Sequence, residues 1–390
     1  MRVLALSEFY PHEKNPHEGI FVRDQLLHLA RHCDIRVMAP AMRHVPLPRY
    51  KLLRAQESPA GDFPEDILPV TRFPVWNLPK VAEYIAPGMH LRAVQKTIAE
   101  KKFSPDLIHA FWAYRSGFVG AQLKQEFDCP LVITVEGSDV HTWLDEPRKR
   151  DKILFALQRA DAIICVSRAL ANRVTAEGIS PAKLHLIPNG ADLSSFAHRP
   201  TALAGELRNR LSAVSLFLCV ANFFPVKGQD VLIKAMAQLR QSSCTAIFIG
   251  DGPERPRLEK LVEELQLTPR IFFAGKKPHA EVAEWMSAVD ALVVPSRNEG
   301  GPVVVIEALA CGLQVVGAAV GMIPEVIDSE DIGLVVPPED PAALASALSK
   351  IAQRKVNKEK LRARAEMFSW ERLSERVLQV YRSVAGERQK

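Results

Sequence analysis

Short, almost wholly apolar runs recur along the chain, separated by segments with apolar residues at helical spacing. The runs cover residues 2–7, 35–39, 106–110, 131–135, 162–167 and 184–187, then 216–222, 246–250, 271–275, 291–296, 314–318 and 333–336. A strand exposed on one face alternates apolar and polar positions. These do not, so strands covered on both faces are predicted. Helical spacing marks residues 19–31, 91–101, 170–177, 228–239, 255–265, 280–287 and 302–311. Alternation of strand and helix predicts parallel sheets joined by right-handed crossovers. Two successive sets predict two doubly wound, Rossmann-like α/β domains.

The predicted boundary lies at Ile187-Pro188-Asn189-Gly190, where Pro and Asn-Gly punctuate the end of a strand and a polar, strand-poor stretch follows to about Leu211. The first domain is therefore expected over 1–188 and the second over 189–369. A last segment, 370–384, carries Leu373, Val377, Leu378 and Tyr381 at helical spacing and would dock on a domain surface. No repeat at solenoid period is visible. The length of 390 residues fits two domains, and 47% hydrophobic residues supply a core for each.

The net charge of +5, from 50 Lys+Arg against 45 Asp+Glu, is too small and too evenly spread for a dedicated nucleic-acid binder. Six cysteines lie far apart with no C-x-x-C pair, which argues against a structural zinc site or a disulfide framework and for a reducing, cytoplasmic setting. The opening Met1–Glu8 meets a carboxylate too soon for a signal peptide. The most apolar stretch, 301–324, has Glu307 near its middle and reads as helix, turn and strand of a folded core.

In open parallel sheets, ligands bind beyond the carboxyl ends of the strands at the point where strand order reverses. Two such domains face each other across an interdomain cleft, so polar residues at strand ends are the candidates. The strongest constellation runs from Val293 to Gly312. A buried strand ends at Ser296, a turn holds Glu299-Gly300-Gly301, and Pro302 stands where a helix begins, with Glu307 about two turns on. Free amides at a helix start bind anions, and the glycines admit a ligand close to the backbone. Two carboxylates beside an anion site make sense when each accepts hydrogen bonds from hydroxyls, as in a ribose or a hexose. Read singly, Glu307 is a helix residue paired with an arginine and Glu299 a solvated loop residue.

Three further segments sit at predicted strand ends. Cys219–Asp230 contains Asn222 and Lys227, whose ammonium can neutralise a diphosphate leaving group; a lysine before a glycine-capped helix is otherwise a common surface residue. Tyr10–Phe21 is a Pro/Gly loop in which Gly19 opens a helix. His109 ends one run, and Glu136-Gly137-Ser138-Asp139 follow another; His109 can equally be a satisfied structural residue, and Asp139 a helix cap. Gly250-Asp251-Gly252-Pro253-Glu254-Arg255 begins like a dinucleotide fingerprint, but Arg255 takes the third glycine position. Walker A, H-E-x-x-H and G-x-S-x-G sequences are absent.

With these residues in view, the chain resembles the retaining glycosyltransferases of family 4, which have the two-domain GT-B fold, over nearly its whole length. The likeness rests on the E-x7-E spacing of Glu299 and Glu307, Val220–Gly228, the Phe248–Pro253 turn and Val320–Glu325, and lies nearest the teichuronic-acid and exopolysaccharide branch. The resemblance implies that Glu307 binds the donor ribose, Glu299 the transferred sugar and Lys227 the β-phosphate. It implies that amides around Gly300, Gly301, Pro302 and Val303 touch sugar and phosphate, and that Gly19 approaches the diphosphate from the first domain. It also implies no metal or other cofactor, and a carboxyl-terminal helix over 370–390 crossing back onto the first domain. The expected catalytic set is Lys227, Glu299, Glu136 and His109.

The sequence departs from the pattern at three places: Asn222 stands where many relatives have Arg, Glu136 where many have His, and Phe111 where a second His is common. The expected activity is sugar transfer from a nucleotide diphosphate sugar, UDP- or GDP-linked, to a glycan or lipid-linked saccharide in cell-surface polysaccharide synthesis. Alternatives are a non-catalytic nucleotide-sugar-binding subunit, suggested by Glu136 and Phe111, and a sugar-nucleotide 2-epimerase. Arg36, Arg43, Arg49, Lys51 and Arg54, interleaved with Leu47, Tyr50, Leu52 and Leu53, suggest peripheral attachment to an anionic membrane leaflet, or else a solvated loop.

Overall fold

The computed structural model describes the chain except residues 17, 45–56, 58–59, 66–67, 78–81, 198–201, 212, 240–242 and 387–390. It divides into two compact units, Met1–Asn189 with Trp370–Lys390, and Gly190–Ser369.

The first unit is built on eight strands: β1 (Arg2–Ser7), β2 (Asp34–His44), β3 (Gly61–Glu65), β4 (Leu68–Asn77), β5 (Leu107–Phe111), β6 (Leu131–Val135), β7 (Ala162–Cys165) and β8 (Leu184–Leu186). Their order is β3-β4-β2-β1-β5-β6-β7-β8. Neighbours are parallel, save for the antiparallel β3–β4 pair at one edge. All five residues of β5 and of β6 are buried, as the unbroken apolar runs require of strands covered on both faces.

Strands β3 and β4 escaped the sequence reading. Pro64, Pro69 and Pro74 lie within them, with Pro64 directly opposite Pro69. A proline gives no amide to a ladder, so this composition reads as loop. The helix Arg115–Phe127 was missed for a related reason. Its Gly117 and Gly120 lower helical propensity, yet a Cβ on Gly120 would lie 2.8 Å from Leu131 Cδ1. Close packing on β6 demands the residue that hides the helix. The carboxyl-terminal helix Trp370–Gly386 belongs to this unit, with Tyr381 wholly buried and Arg376 donating to the Leu186 carbonyl at 2.6 Å.

The second unit has six strands: β9 (Ser215–Val220), β10 (Cys244–Ile249), β11 (Ile271–Gly275), β12 (Ala291–Val294), β13 (Gln314–Ala318) and β14 (Gly333–Val336). All are parallel, in the order β11-β10-β9-β12-β13-β14. The fold class is thus the predicted one, two doubly wound parallel-sheet halves. Strand order reverses between β9 and β12 in this unit, and between β1 and β5 in the first. The loops leaving those four strands are where chemistry is to be sought.

Candidate active site

In the second unit, the loop after β9 carries Lys227 in a 3-10 turn, Pro225–Lys227, and the loop after β12 carries Glu299. The two side chains meet at the reversal point. Lys227 Nζ donates to both Glu299 oxygens at 2.8 Å, and Ser296 Oγ donates to Glu299 Oε1 at 2.7 Å. Lys227 keeps 29% of its side chain exposed while Glu299 keeps 9%. An ammonium has three donors, so one stays available to a ligand.

The backbone enforces this meeting. Gly228 caps the helix Gln229–Gln238 with φ 64°, and a Cβ there would lie 2.1 Å from the Pro295 carbonyl oxygen. Only glycine lets the two loops approach so closely. Arg297 fastens them from the other side: its guanidinium donates to both Asp230 oxygens at 2.9 Å, to Glu339 at 2.7 Å and to the Pro225 carbonyl at 2.5 Å. Asp230 is held below the usual carboxylate range: burial pushes its carboxyl up, and the Arg297 bonds more than reverse that. Sequence reasoning passed over this clamp, because no motif announces an arginine two residues before a glutamate.

Glu307 lies in the helix Val303–Ala310 and is 6% exposed. Its Oε1 is 2.8 Å from His279 Nε2, at the start of the helix His279–Ala288. The partner is therefore a histidine, where the single-residue reading expected an arginine. Pro302 is the residue before the helix, not its first turn. The Val303 and Val304 amides belong to that first turn, whose donors lack partners within the helix. Gly300 accepts from Met322 N at 3.1 Å, and Gly301 and Val303 are partly exposed beside it. Asn222 is exposed, and its carbonyl accepts from Gln229 Nε2 at 3.1 Å. Thus Lys227, Glu299, Gly300, Gly301, Pro302, Val303 and Glu307 come together around one strand reversal. Gly250 and Gly252 serve packing: a Cβ on either would lie within 2.5 Å of a backbone oxygen of Ala221 or Phe223.

The first unit treats its candidates differently. His109 is wholly buried, with Nδ1 2.6 Å from Tyr381 Oη and Nε2 2.7 Å from Thr134 Oγ1. Burial drives its pKa down to about 3, so it is neutral, and both nitrogens are committed. The catalytic assignment of His109 is corrected on that ground; it is a core residue that ties β5 to β6 and to the last helix. Gly19 caps the helix Ile20–Leu29 at φ 65°, and the space beside its Cα is filled by the Phe9 carbonyl oxygen, 2.3 Å from a built Cβ. Asp139 does not cap the helix Ser138–His141, in whose first turn it lies. Its carboxylate accepts from the amides of Ala113 at 2.9 Å, Gly137 at 3.0 Å and Glu136 at 3.2 Å.

Glu136 is 8% exposed. Oε2 accepts from Asn189 Nδ2 at 2.9 Å, while buried Oε1 has no partner. Its pKa is pushed up to about 8, first by burial and further by the charge of Asp139, against the pull of the Asn189 bond. At the reversal point itself Glu8 Oε1 accepts from Arg115 at 2.6 Å, beside Trp112, Phe9 and Trp143.

Of the basic, apolar stretch, 45–54 lies outside the described residues, as does His17 of the Gly19 loop. Arg36 stacks on Phe103 at 4.7 Å and Arg43 pairs with Glu57 at 3.4 Å. Among the described residues no helix is long and apolar enough to cross a membrane, and no three His, Cys, Asp or Glu side chains converge as metal ligands.

Two family models match: glycosyl transferases group 1 over residues 210–367, and glycosyltransferase family 4 over 19–195. The chain is 31% identical to the D-inositol 3-phosphate glycosyltransferase of Thermomonospora curvata, covering 71% of each chain. It belongs to glycosyltransferase family 4. This glycosyltransferase is also 28% identical to Bacillus subtilis TuaC, named for teichuronic acid biosynthesis, over 91% of its length and 90% of TuaC. Among solved structures it is similar to the sucrose-phosphate synthase of Thermosynechococcus elongatus, with TM-score 0.80, 26% identity and coverage of 99% and 100%. The Anabaena HepE complex with UDP-glucose shares the fold, with TM-score 0.72, 22% identity and coverage of 98% and 100%. The architecture is GT-B, as the resemblance implied.

Proposed function

We propose that this glycosyltransferase moves a sugar from a nucleotide diphosphate sugar, UDP- or GDP-linked, to a hydroxyl of a glycan or lipid-linked saccharide in cell-surface polysaccharide synthesis. Retention at the anomeric carbon is part of the proposal. The observation that carries it is the Lys227–Glu299 pair at the strand reversal of the second unit, with Glu307 in the helix that follows the same loop.

Each group there has capacity left for one part of such a donor. The third N–H of Lys227 reaches a β-phosphate oxygen. Glu299 accepts from a hydroxyl of the transferred sugar, and the Glu307 oxygen not facing His279 accepts from the ribose diol. First-turn amides at Val303 and Val304 add donors for phosphate. In the reaction the bond from the anomeric carbon to the phosphate oxygen breaks, its electron pair leaving with the diphosphate. The acceptor oxygen bonds to that carbon on the same face, and its proton passes to the departing phosphate oxygen. Lys227 meets the negative charge that grows there, where a preorganised donor has most effect. No step requires a metal, and His109 takes no part.

Names of relatives support the donor class: HepE is described in complex with UDP-glucose. A thermal-shift panel of UDP-, GDP- and ADP-sugars tests the reading, followed by product analysis with saccharide acceptors. A ligand that prefers the folded state raises the midpoint. The expected result is a rise with one nucleotide sugar and transfer with an axial or equatorial linkage matching the donor. No rise with any of them, or inversion of the linkage, contradicts it.

A further inference from the structure

Glu136 belongs to the expected catalytic set but lies in the first unit, not at the strand reversal of the second. We propose that Glu136 is a neutral carboxylic acid whose Oε2 is held in place by Asn189, a positioning residue, and whose Oε1–H donates to an oxygen of the sugar substrate. The inference rests on the transferase reading and adds a named role to the first unit.

Glu136 is 92% removed from solvent by its 8% exposure, and Asn189 Nδ2 occupies Oε2 at 2.9 Å. Among the described residues no cation bonds to Glu136. Asp139 lies beside it, and three backbone amides, including that of Glu136 itself, point at Asp139. Of two neighbouring acids, the one with three amide donors keeps its charge better, and the one with a single neutral donor takes the proton. Burial lifts Asp139 too, and the amides offset that lift only in part. The other groups around this loop do not alter the balance. Cys165, at the end of β7, is a neutral thiol pushed up to about 12, and His109 is neutral. Arg115 and Lys149 act on Glu8, after β1, at whose Oε1 Arg115 donates.

With Oε2 fixed by an N–H donor, the proton of Glu136 resides on Oε1, which is buried and unpartnered. A buried polar atom without a partner is rare in native structures and calls for one. An O–H there can serve a hydroxyl or ring oxygen of a saccharide.

The test uses the full chain and the variants Glu136→Gln, Glu136→Ala and Asn189→Ala. In the infrared difference between wild type and Glu136→Gln, a protonated-carboxyl band should be present at neutral pH and fade through about pH 8. Asn189→Ala removes a bond that favours the charged form, so its band should persist to higher pH. Absence of the band overturns the neutral acid; unchanged titration in Asn189→Ala overturns the positioning role. These readings need no substrate, so they stand apart from failure of the transferase proposal.

With the nucleotide sugar that gives transfer, wild-type kcat/KM should decline above about pH 8. Glu136→Gln, whose amide restores a donor, should lose that decline and retain more activity than Glu136→Ala. Glu136→Ala and Asn189→Ala should fall by about tenfold, the size of one hydrogen bond. Activity that rises with pH through this range, or Gln no better than Ala, contradicts a donor role, as does wild-type transfer in all three variants.

Discussion

The two strand reversals of this molecule are each spanned by an ion pair, and the pairs are built in opposite senses. In the second unit the cation, Lys227, comes from the loop after the central strand β9 and the acid, Glu299, from β12. In the first the acid, Glu8, follows β1 and the cation, Arg115, follows β5. The second-unit pair is bidentate and its lysine is 29% exposed. The first-unit pair has exposures of 16% and 7%, and leaves Glu8 Oε2 and Arg115 Nε buried without partners. One cation is available to an incoming anion; the other is spent on a buried acid, whose carboxyl burial pushes up and the arginine pulls only partly back. On the proposed function, equivalent places in a repeated architecture would serve charge stabilisation in one unit and structure in the other.

Replacing the two cations separates those roles most strongly. Lys227→Ala should lower transfer by about 10²–10³-fold, the usual cost of removing one preorganised donor, with a thermal midpoint close to wild type. Arg115→Ala strands Glu8 in a buried site and should cost about 3–5 kcal/mol of stability, read by denaturant unfolding. Similar stability loss in both variants would erase the distinction. Gly228→Ala comes next. At φ 64° and with its Cβ 2.1 Å from the Pro295 oxygen, the backbone must move, and a loss of about 2 kcal/mol in unfolding is expected together with weaker donor binding.

The pH dependence of stability gives a third contrast. Glu136 holds its proton to about pH 8 in the folded chain, against 4.5 as its ordinary value. The folded state therefore binds more protons between those limits. This contribution is full below about 4.5 and is lost as pH rises through about 8, so Glu136→Gln should melt above wild type at alkaline pH. His109 acts in the other direction: with its pKa lowered to about 3 from 6.5, its contribution is full above 6.5 and is lost as pH falls toward 3. Melting curves of Glu136→Gln and His109→Gln against wild type across pH distinguish these windows. The smallest effect is expected for His279→Ala, which leaves Glu307 able to bind but less well held. Donor KM should rise by about threefold to tenfold with kcat little changed, the scale of one ordinary hydrogen bond.

The contrast between units also explains what could be read from the chain. Buried parallel strands such as β6 and β13 announce themselves as unbroken apolar runs, since both faces are covered. Glu299 and Glu307 were visible because a glycine turn and a helix start fix their spacing in sequence. The partners that tune them were not. His279 lies 28 positions from Glu307, and Asn189 lies 53 from Glu136. Such pairs form only when the sheet brings distant strand ends together. The proline-bearing β3 and β4 stayed hidden because pairing in the sheet overrides a local preference for loop. His109 misled because a strand-end histidine looks alike whether it meets a substrate or Tyr381, which is 272 residues away.

A crystal structure of the protein with UDP-glucose, or whichever nucleotide sugar raises the melting midpoint, addresses the central claim most directly. The account predicts Lys227 Nζ within hydrogen-bonding distance of a diphosphate oxygen, Glu307 on the ribose diol and Glu299 on a sugar hydroxyl. A nucleotide bound with its phosphates away from Lys227, which keeps only Glu299 as its partner, would contradict it.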